Sequence, residues 1–455
     1  MKTEIKATSK LSLRTKLLFS TGDLTTSIPL AILMFFQLYF LTDIAGLRPA
    51  LAGWAVGVPR VWDAVNDPLF GVISDRIRSP WGRRRVLLLF GCVPLGLSFM
   101  FLWFVPSISQ MGMAFYYALV FIIFDTAFTV VHVGYNALTP EMTKDYDERS
   151  TLNGFRMVFS ICGTLGAIIL ATVLGWYIEE QKTLFAILGI GLGIISIFPP
   201  LIVFRITRDY LSDDTQADPF PVREALSQTL RNKPFQMVMG LYLLSWTTAS
   251  ILAAVLVYFA NYYLKVPDQA NYFVLIAQGS AIVFIPVVVK ISQVLDKRRA
   301  FVIGTIAWAV VLMGIYTIQE NQLILGYVLT SLSGFGIATA YVVPWSMIPD
   351  VVEYDQLRSG QRREGSYYAF ASFFQKLATG LALWGMGQAL ALSGYITPGL
   401  GNILPEQPDT AIEAIRLFVG PVPLVLLILA VVFAMRYSIS RESHQKTLDA
   451  LTKTE

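Results

Sequence analysis

Twelve stretches of about 20 mostly apolar residues run through this chain of 455 residues, and they restrict it to a fold that crosses a membrane many times. The stretches are continuous rather than alternating in polarity, which excludes an outer-membrane barrel. Only 15% of the residues are charged, against about 25% in a soluble domain, so a soluble enzyme, a disordered chain and a nucleic-acid binder are also excluded. The predicted membrane helices are residues 17–43, 50–74, 86–106, 111–138, 152–176, 183–204, 235–263, 269–293, 300–318, 323–348, 366–393 and 411–435.

The distribution of lysine and arginine predicts how these helices are oriented. Cytoplasmic segments of membrane proteins carry an excess of both residues. With the N-terminus inside, 27 of them fall in the two tails and the even-numbered loops, whereas the opposite loops hold only Arg48, Lys182 and Lys265. We therefore expect both chain termini in the cytoplasm.

The two halves of the chain resemble each other. The loop segments ALTPEMTKDYDERSTLNGFR (137–156) and SMIPDVVEYDQLRSGQRREGSYYAF (346–370) share a proline followed by an acid, a Tyr-Asp pair and an arginine in the same order. Two parallel six-helix repeats with matching cytoplasmic loops are the plan of a major facilitator transporter. We predict an all-α membrane protein of that fold, with an N-terminal six-helix bundle (1–204), a cytoplasmic central loop (205–234), a C-terminal six-helix bundle (235–437) and a cytoplasmic tail (438–455).

The second predicted helix carries two acids at membrane depth, where each charge costs about 2.5–3.5 kcal/mol to insert. In PRVWDAVNDPLFG (59–71), Asp63 and Asp67 are four residues apart and share a helix face, with Asn66 beside them. Two carboxylates this close in a low dielectric do not both stay ionised alone. A bound Na⁺, a shared proton or neutralisation by Arg60 would each resolve the conflict. We predict a coupling-ion site here, with Asp63 and Asp67 able to hold Na⁺.

The fourth predicted helix carries a polar stripe that should face a cavity. Thr129, His132 and Asn136 follow i, i+3, i+7 spacing and lie on one side of the helix. Two membrane cations from different halves, Arg156 and Lys376, could neutralise the acids of the second helix or hold an anionic or hydroxylated substrate.

Aromatic and charged residues elsewhere supply further candidates. Tyr135, Tyr341 and Trp345 lie near the cavity by position, although aromatic residues also face lipid. Charged residues at the cytoplasmic helix ends could form a gate, because exposed salt bridges of about 0–1 kcal/mol suit a contact that opens in each cycle. The gate candidates are Asp75, Arg76, Asp145, Arg149, Asp350, Glu353 and Arg363.

Three segments resemble signatures of the glycoside–pentoside–hexuronide:cation symporters, the melibiose-permease type. They are RVWDAVNDPLFGVISDRIRSPWGRRR (60–85), GYNALTPEM with DERSTLNGFR (134–156), and IPDVVEYDQLRSGQRREGSYYAFASFFQK (348–376). The resemblance implies a cation site formed by Asp63, Asn66, Asp67 and Thr129. It also implies that Asp23, Arg156 and Lys376 lie at the sugar site or couple it to the cation site, and that Tyr341 is a cavity aromatic.

The chain departs from the melibiose-permease pattern at three positions. His132 stands where those symporters have a sugar-binding aspartate, Asn136 where they have a tryptophan, and Gly22 where they have a lysine. The stretch HVGYNALT…ERSTLNGFRM also resembles the animal sodium-dependent lysophosphatidylcholine symporters, in which an amphipathic lipid replaces the sugar. The departures leave the substrate open between a sugar and an amphiphile.

We therefore predict a secondary active symporter rather than an enzyme. It would couple entry of Na⁺ or H⁺ to uptake of a glycoside, pentoside or hexuronide by alternating access, the alternative cargo being a lysophospholipid or other amphiphile. The expected partners are the small-molecule substrate and membrane lipids, with no nucleic acid and no cofactor besides the coupling ion. We expect the monomer to be the functional unit. We expect the protein to lie in the plasma membrane, as a bacterial inner-membrane protein. The substrate-binding candidates are Asp23, His132, Tyr135, Asn136, Arg156, Tyr341, Trp345 and Lys376.

Overall fold

The computed structural model describes residues 11–77, 79–82, 84–143, 146–207, 229–360, 364–398 and 404–454, and every regular element among them is helical. The chain divides into two compact units. Unit 1 comprises Met1–Ala217 with Pro398–Asn402, and unit 2 comprises Asp218–Thr397 with Ile403–Glu455. The residue boundaries that the sequence predicts for the two bundles, the central loop and the tail stay predictions.

Unit 1 contains seven described α-helices. They are α1 (Leu13–Ser20), α2 (Gly22–Tyr39), α3 (Pro49–Arg76), α4 (Arg85–Leu102), α5 (Gln110–Met142), α6 (Tyr146–Tyr177) and α7 (Gln181–Ile206). Small residues let α4 and α7 pack closely, since a Cβ at Gly96 would lie 2.6 Å from the Gly193 carbonyl oxygen.

Unit 2 contains eight described α-helices. They are α8 (Lys233–Tyr258), α9 (Ala270–Leu295), α10 (Lys297–Thr317), α11 (Leu323–Ser359), α12 (Glu364–Leu392), α13 (Asp409–Val419), α14 (Pro421–Arg436) and α15 (Arg441–Thr454). The buried core of this unit includes Phe235, Tyr242 and Val343, from α8 and α11. Its helices pack tightly where Gly336 of α11 meets the Trp308 ring of α10.

Ten helical segments of the described residues are long and apolar enough to cross a membrane. The helices α3 and α12 are 28 and 29 residues long and stand where the second and eleventh spans are predicted, but they are outside that set. Arg60, Asp63 and Asp67 lower the hydropathy of α3, and Lys376 that of α12. The twelve-span topology and the location of the termini therefore stay predictions.

Several predicted element boundaries need correction. The first span is interrupted at Thr21, and the last is broken at Gly420 into α13 and α14. The helix α11 continues to Ser359, so Asp350 and Glu353 lie on a helix rather than in a loop. The segment predicted as a cytoplasmic tail contains α15, which leaves that prediction as it stands.

The first long helix of each unit ends with the same irregularity. A π-helical turn follows α2 at Phe40–Ile44, and another follows α8 at Phe259–Tyr263. The closing hydrogen bonds match in spacing and length, from the Ala45 amide to the Phe40 carbonyl (2.8 Å) and from the Leu264 amide to the Phe259 carbonyl (2.9 Å). This shared turn supports the internal repeat that the sequence predicts.

Candidate functional site

The predicted acids of α3 lie against α5 in a group that we call the α3–α5 oxygen cluster (Asp63, Asn66, Asp67 and Thr129). Asp63 is 2% exposed and Asn66 is fully buried. Asp67 Oδ1 accepts a hydrogen bond from Thr129 Oγ1 at 2.8 Å. Asn66 Nδ2 donates to the Asp125 carbonyl at 3.2 Å, so α3 meets α5 at two consecutive turns.

Two features of this cluster bear on cation binding. Arg60 Nη1 lies 3.7 Å from Asp63 Oδ2, which is longer than a hydrogen bond, and its guanidinium also lies over the Phe121 ring. Asn66 Oδ1 is buried and has no hydrogen-bond partner among the described residues. Buried polar atoms are normally satisfied, so an acceptor oxygen in this state beside two carboxylates fits a site for a cation.

A second group of predicted residues forms what we call the α2–α5–α6 network. Arg156 of α6 donates from Nε to Asp23 Oδ2 (2.9 Å) and from Nη2 to Asp23 Oδ1 (3.1 Å). The same guanidinium donates to Thr139 Oγ1 and to Asn136 Oδ1, each at 2.7 Å. Asn136 Nδ2 lies 2.8 Å from His132 Nε2. The structure thus joins in one network four residues that the sequence predicts, and adds Thr139.

Tyr135 contacts both charged residues of this network, Asp23 and Arg156. Its ring lies under the Arg156 guanidinium at 4.4 Å, and its hydroxyl donates to Asp23 Oδ2 at 2.6 Å. Tyr135 is 2% exposed, so the geometry gives it a positioning role toward Asp23 and Arg156. A buried ion pair is stable only when the remaining polar atoms of both partners also form hydrogen bonds. Tyr135 forms such a bond with Asp23, and Asn136 forms one with Arg156.

Unit 2 presents a cluster of aromatic side chains around the predicted residues of α11, which we call the unit-2 aromatic cluster. Tyr341 lies 5.0 Å from the Trp246 ring, and Trp345 stacks on Tyr368 at 5.6 Å. Trp345 Nε1 donates to the Tyr242 hydroxyl at 2.9 Å. Sequence reasoning did not single out Trp246, Tyr242 or Tyr368, because with 13% aromatic residues no single aromatic is distinctive.

Lys376 lies on α12, one turn before Thr379, and is partly buried. Trp246 Nε1 donates to Thr379 Oγ1 at 3.0 Å, which connects α12 to the unit-2 aromatic cluster. The predicted substrate role of Lys376 stays a prediction.

Two of the predicted gate residues belong to what we call the α11 end cluster (Lys297, Asp350, Glu353 and His444). Lys297 Nζ donates to both Asp350 oxygens at 2.7 and 2.8 Å. His444 Nε2 lies 2.5 Å from Glu353 Oε2 and 3.6 Å from Asp350 Oδ1. The sequence reasoning missed Lys297 and His444 as partners. Asp145 and Arg363 lie outside the described residues, as do the side chains of Asp75, Arg76 and Arg149.

The fold and the buried polar groups define the class of the protein: a multi-pass integral membrane protein with the helical architecture of major facilitator transporters. The structure is similar to that of a D-xylose-proton symporter, with a TM-score of 0.68 and 14% identity over 94% of this chain and 98% of the other. Residues 18–441 match the family model described as MFS/sugar transport protein, and the chain belongs to that family, whose members are transporters rather than enzymes. The predicted family is thereby confirmed.

Three relatives match nearly the whole chain. An uncharacterized symporter, sll1374, of Synechocystis sp. is 32% identical and covers 96% of each chain. The sodium-dependent lysophosphatidylcholine symporter 1-A of Danio rerio is 27% identical over 98% of this chain and 90% of its own. The putative glycoside/cation symporter YagG of Escherichia coli is 26% identical over 92% of this chain and 90% of its own.

Proposed function

We propose that the protein is a symporter that couples entry of Na⁺ or H⁺ to uptake of a sugar-like solute. The observation that carries this proposal is the α3–α5 oxygen cluster, in which two carboxylates accompany the buried Asn66 oxygen that has no hydrogen-bond partner among the described residues. Hard oxygen ligands suit Na⁺, and the same carboxylates suit a proton. Cation binding would offset the cost of two nearby acids at membrane depth.

The substrate in this proposal is a glycoside, pentoside or hexuronide. The α2–α5–α6 network offers the hydrogen-bonding groups of His132 and Asn136, and the unit-2 aromatic cluster offers the ring faces of Tyr341 and Trp345. Sugars are bound by polar groups on the hydroxyls and by aromatic rings on the apolar sugar face, and side chains of both kinds are among the predicted substrate residues. Membership of the sugar-transport family and similarity to a putative glycoside/cation symporter support this class.

A second candidate substrate is a lysophospholipid or another amphiphile. Similarity to a lysophosphatidylcholine symporter over 98% of the chain favours it. His132 and Asn136 also favour an amphiphile. They stand where the melibiose type has an aspartate and a tryptophan, so the carboxylate that the resemblance associates with galactosides is absent.

Alternating access and the remaining roles follow from the same proposal. We expect Asp75, Arg76, Asp145, Arg149 and Arg363 to act with Asp350 and Glu353 as cytoplasmic gate residues. The monomer would be the functional unit, in the plasma membrane of the bacterial inner-membrane type. The membrane potential would assist entry of the cation by about 2.3 kcal/mol per charge per 100 mV.

Proteoliposome uptake under an imposed Na⁺ or H⁺ gradient tests the proposal. The substrates are radiolabelled glycosides, pentoses and hexuronides, with lysophosphatidylcholine as the alternative. We expect Asp63→Asn and Asp67→Asn to reduce gradient-driven accumulation at least about tenfold, since a loss of about 1.4 kcal/mol of cation binding has that effect. Asp268→Asn, an exposed acid of unit 2, is the matched control and should transport normally.

Two outcomes would contradict the proposal, one for the cation site and one for the substrate. Full cation-driven accumulation by both α3 variants would overturn the cation site. Accumulation of lysophosphatidylcholine without any sugar uptake would replace the sugar by the amphiphile.

A further inference from the structure

Asn136 connects two side chains whose hydrogen-bonding roles differ. Its Oδ1 lies 2.7 Å from Arg156 Nη2, and its Nδ2 lies 2.8 Å from His132 Nε2. An arginine guanidinium has donors and no acceptor, so the atom of Asn136 that faces Arg156 must be the oxygen. The orientation of this carboxamide is therefore fixed by chemistry.

The orientation of Asn136 determines the state of the His132 ring. The amide nitrogen only donates, so His132 Nε2 must accept with a bare lone pair. The ring proton then resides on Nδ1, and the ring is neutral. We propose that Asn136 is a positioning residue that transmits the state of the Asp23–Arg156 ion pair to His132, by holding this ring in the neutral Nδ1–H tautomer.

The surroundings of Arg156 show why the orientation is held. Its other donors bond to both Asp23 oxygens and to Thr139, and Tyr135 supports it from below. Turning the Asn136 carboxamide round would set its N–H groups against Arg156 Nη2, which would lose an acceptor. As long as Arg156 stays on Asp23, the tautomer of His132 is therefore fixed.

Movement of Arg156 would release this constraint. If a substrate or ion draws the guanidinium away from Asn136, the carboxamide can rotate and present its oxygen to His132 Nε2. The ring then carries its single proton on Nε2 instead of Nδ1, with no net gain or loss of protons. Among the described residues, the ionisable groups of this network are His132 itself, Asp23 of α2, Arg156 of α6 and Tyr135 of α5. A role of this switch in symport rests on the function proposed above, whereas the hydrogen-bond pattern does not.

The chain is well suited to a direct test, because it contains only two histidines, His132 and His444. Protein labelled with ¹⁵N-histidine gives two imidazole signals, and His444→Gln identifies which belongs to His132. In the purified full-length protein at neutral pH we expect His132 with a bare Nε2 and a protonated Nδ1. The Nδ1–H tautomer should exceed the Nε2–H tautomer at least about tenfold, which corresponds to a difference of about 1.4 kcal/mol.

Two variants separate this role from a purely structural one. Asn136→Asp keeps the shape but offers only acceptors, so we expect Nε2 of His132 to become protonated and its ¹⁵N signal to shift accordingly. Thr139→Val removes a different hydrogen bond from the same Arg156 guanidinium and should leave the tautomer unchanged. A protonated Nε2 in the unaltered protein, or a bare Nε2 in Asn136→Asp, would overturn the inference. The measurement needs no transport, so absence of cation-driven uptake would overturn the proposed function and leave this assignment intact.

Discussion

At the scale of single residues, Gly22 is required by the side chain that packs against it. A Cβ at this position would lie 2.4 Å from Tyr135 Cε2 and 2.6 Å from Cζ. We expect Gly22→Ala to displace the Tyr135 ring, to break its 2.6 Å hydrogen bond to Asp23 and to weaken the contact with Arg156. Such overpacking costs about 1–3 kcal/mol, which a thermal melt of the detergent-solubilised protein would show as a lower Tm.

A second glycine provides the comparison for Gly22→Ala. Gly166 lies on α6 of the same unit, and no heavy atom lies within 4 Å of a Cβ added there. Gly166→Ala should leave the Tm unchanged or raise it, since alanine is the better helix former by up to about 1 kcal/mol. Equal melting temperatures for the two variants would contradict the role assigned to Gly22.

The charged residues of the candidate site stand out in the sequence, whereas the residues that they contact do not. The candidates stand out because a charged side chain at membrane depth costs free energy unless it has a partner or a function. They are Asp23, Asp63, Asp67 and Arg156. Their geometry depends on contacts between distant segments, such as Arg156 with Asp23, 133 residues apart, and Lys297 with Asp350, 53 apart. At Gly22, where the melibiose type carries a lysine, the Tyr135 ring occupies the space that a Cβ would need, which the sequence does not reveal.

At the scale of elements, the most informative difference concerns the C-terminal helix α15. The sequence predicts residues 438–455 as a cytoplasmic tail without assigning secondary structure, and in the structure Thr447 of α15 is buried and His444 contacts Glu353 of α11. Polar segments become helical when tertiary contacts hold them, and a composition window does not detect such contacts. Continuous apolar runs, in contrast, are predicted well, since burial in lipid alone fixes them as helices.

We expect His444→Ala to release α15 from α11. The variant removes the 2.5 Å contact with Glu353 and the 3.6 Å contact with Asp350, while the helix keeps its other residues. Hydrogen exchange followed by mass spectrometry should show amides of Arg441–Thr454 exchanging at least about tenfold faster, as a loss of about 1.4 kcal/mol of docking predicts.

An ion pair on the same helix supplies the control for His444→Ala. Glu442 and Lys446 are paired at 2.7 Å on the exposed side of α15, where the hydrogen bond lowers the pKa of the glutamate and raises the pKa of the lysine. Exposed pairs of this kind contribute little to stability, so Lys446→Gln should leave the exchange unchanged. Equal protection of α15 in the His444 variant and in the unaltered protein would show that its docking does not depend on this histidine.

At the scale of the whole molecule, the repeated organisation is visible in both sequence and structure. The matching loop segments reveal the two halves, and the matching π-helical turns after α2 and α8 appear only in the structure. A π-turn has no strong sequence signal, since FLTDI and FANYY share only their first residue. Neither hydropathy nor length decides the number of membrane crossings, because the charged residues that we predict for the site lower the hydropathy of α3 and α12.

Cysteine accessibility can decide whether α3 and α12 cross the membrane. After removal of Cys92 and Cys162, the two native cysteines, single cysteines are placed at the exposed positions Arg14, Ser107 and Ser438. With twelve crossings, a membrane-impermeant maleimide should label Ser107→Cys from outside in right-side-out vesicles. Arg14→Cys and Ser438→Cys should be labelled only when the inner face is exposed, as the excess of lysine and arginine on that side predicts.

The three positions separate the two helices in question. Three crossings, including α3, lie between Arg14 and Ser107, so labelling of both from the same side would show that α3 does not cross. Nine crossings, including α12, lie between Ser107 and Ser438, so labelling of those two from the same side would exclude α12. Opposite sides in both comparisons would establish that α3 spans the bilayer with Asp63 and Asp67 in it, and the cost of placing two carboxylates there is the physical reason to expect a bound cation.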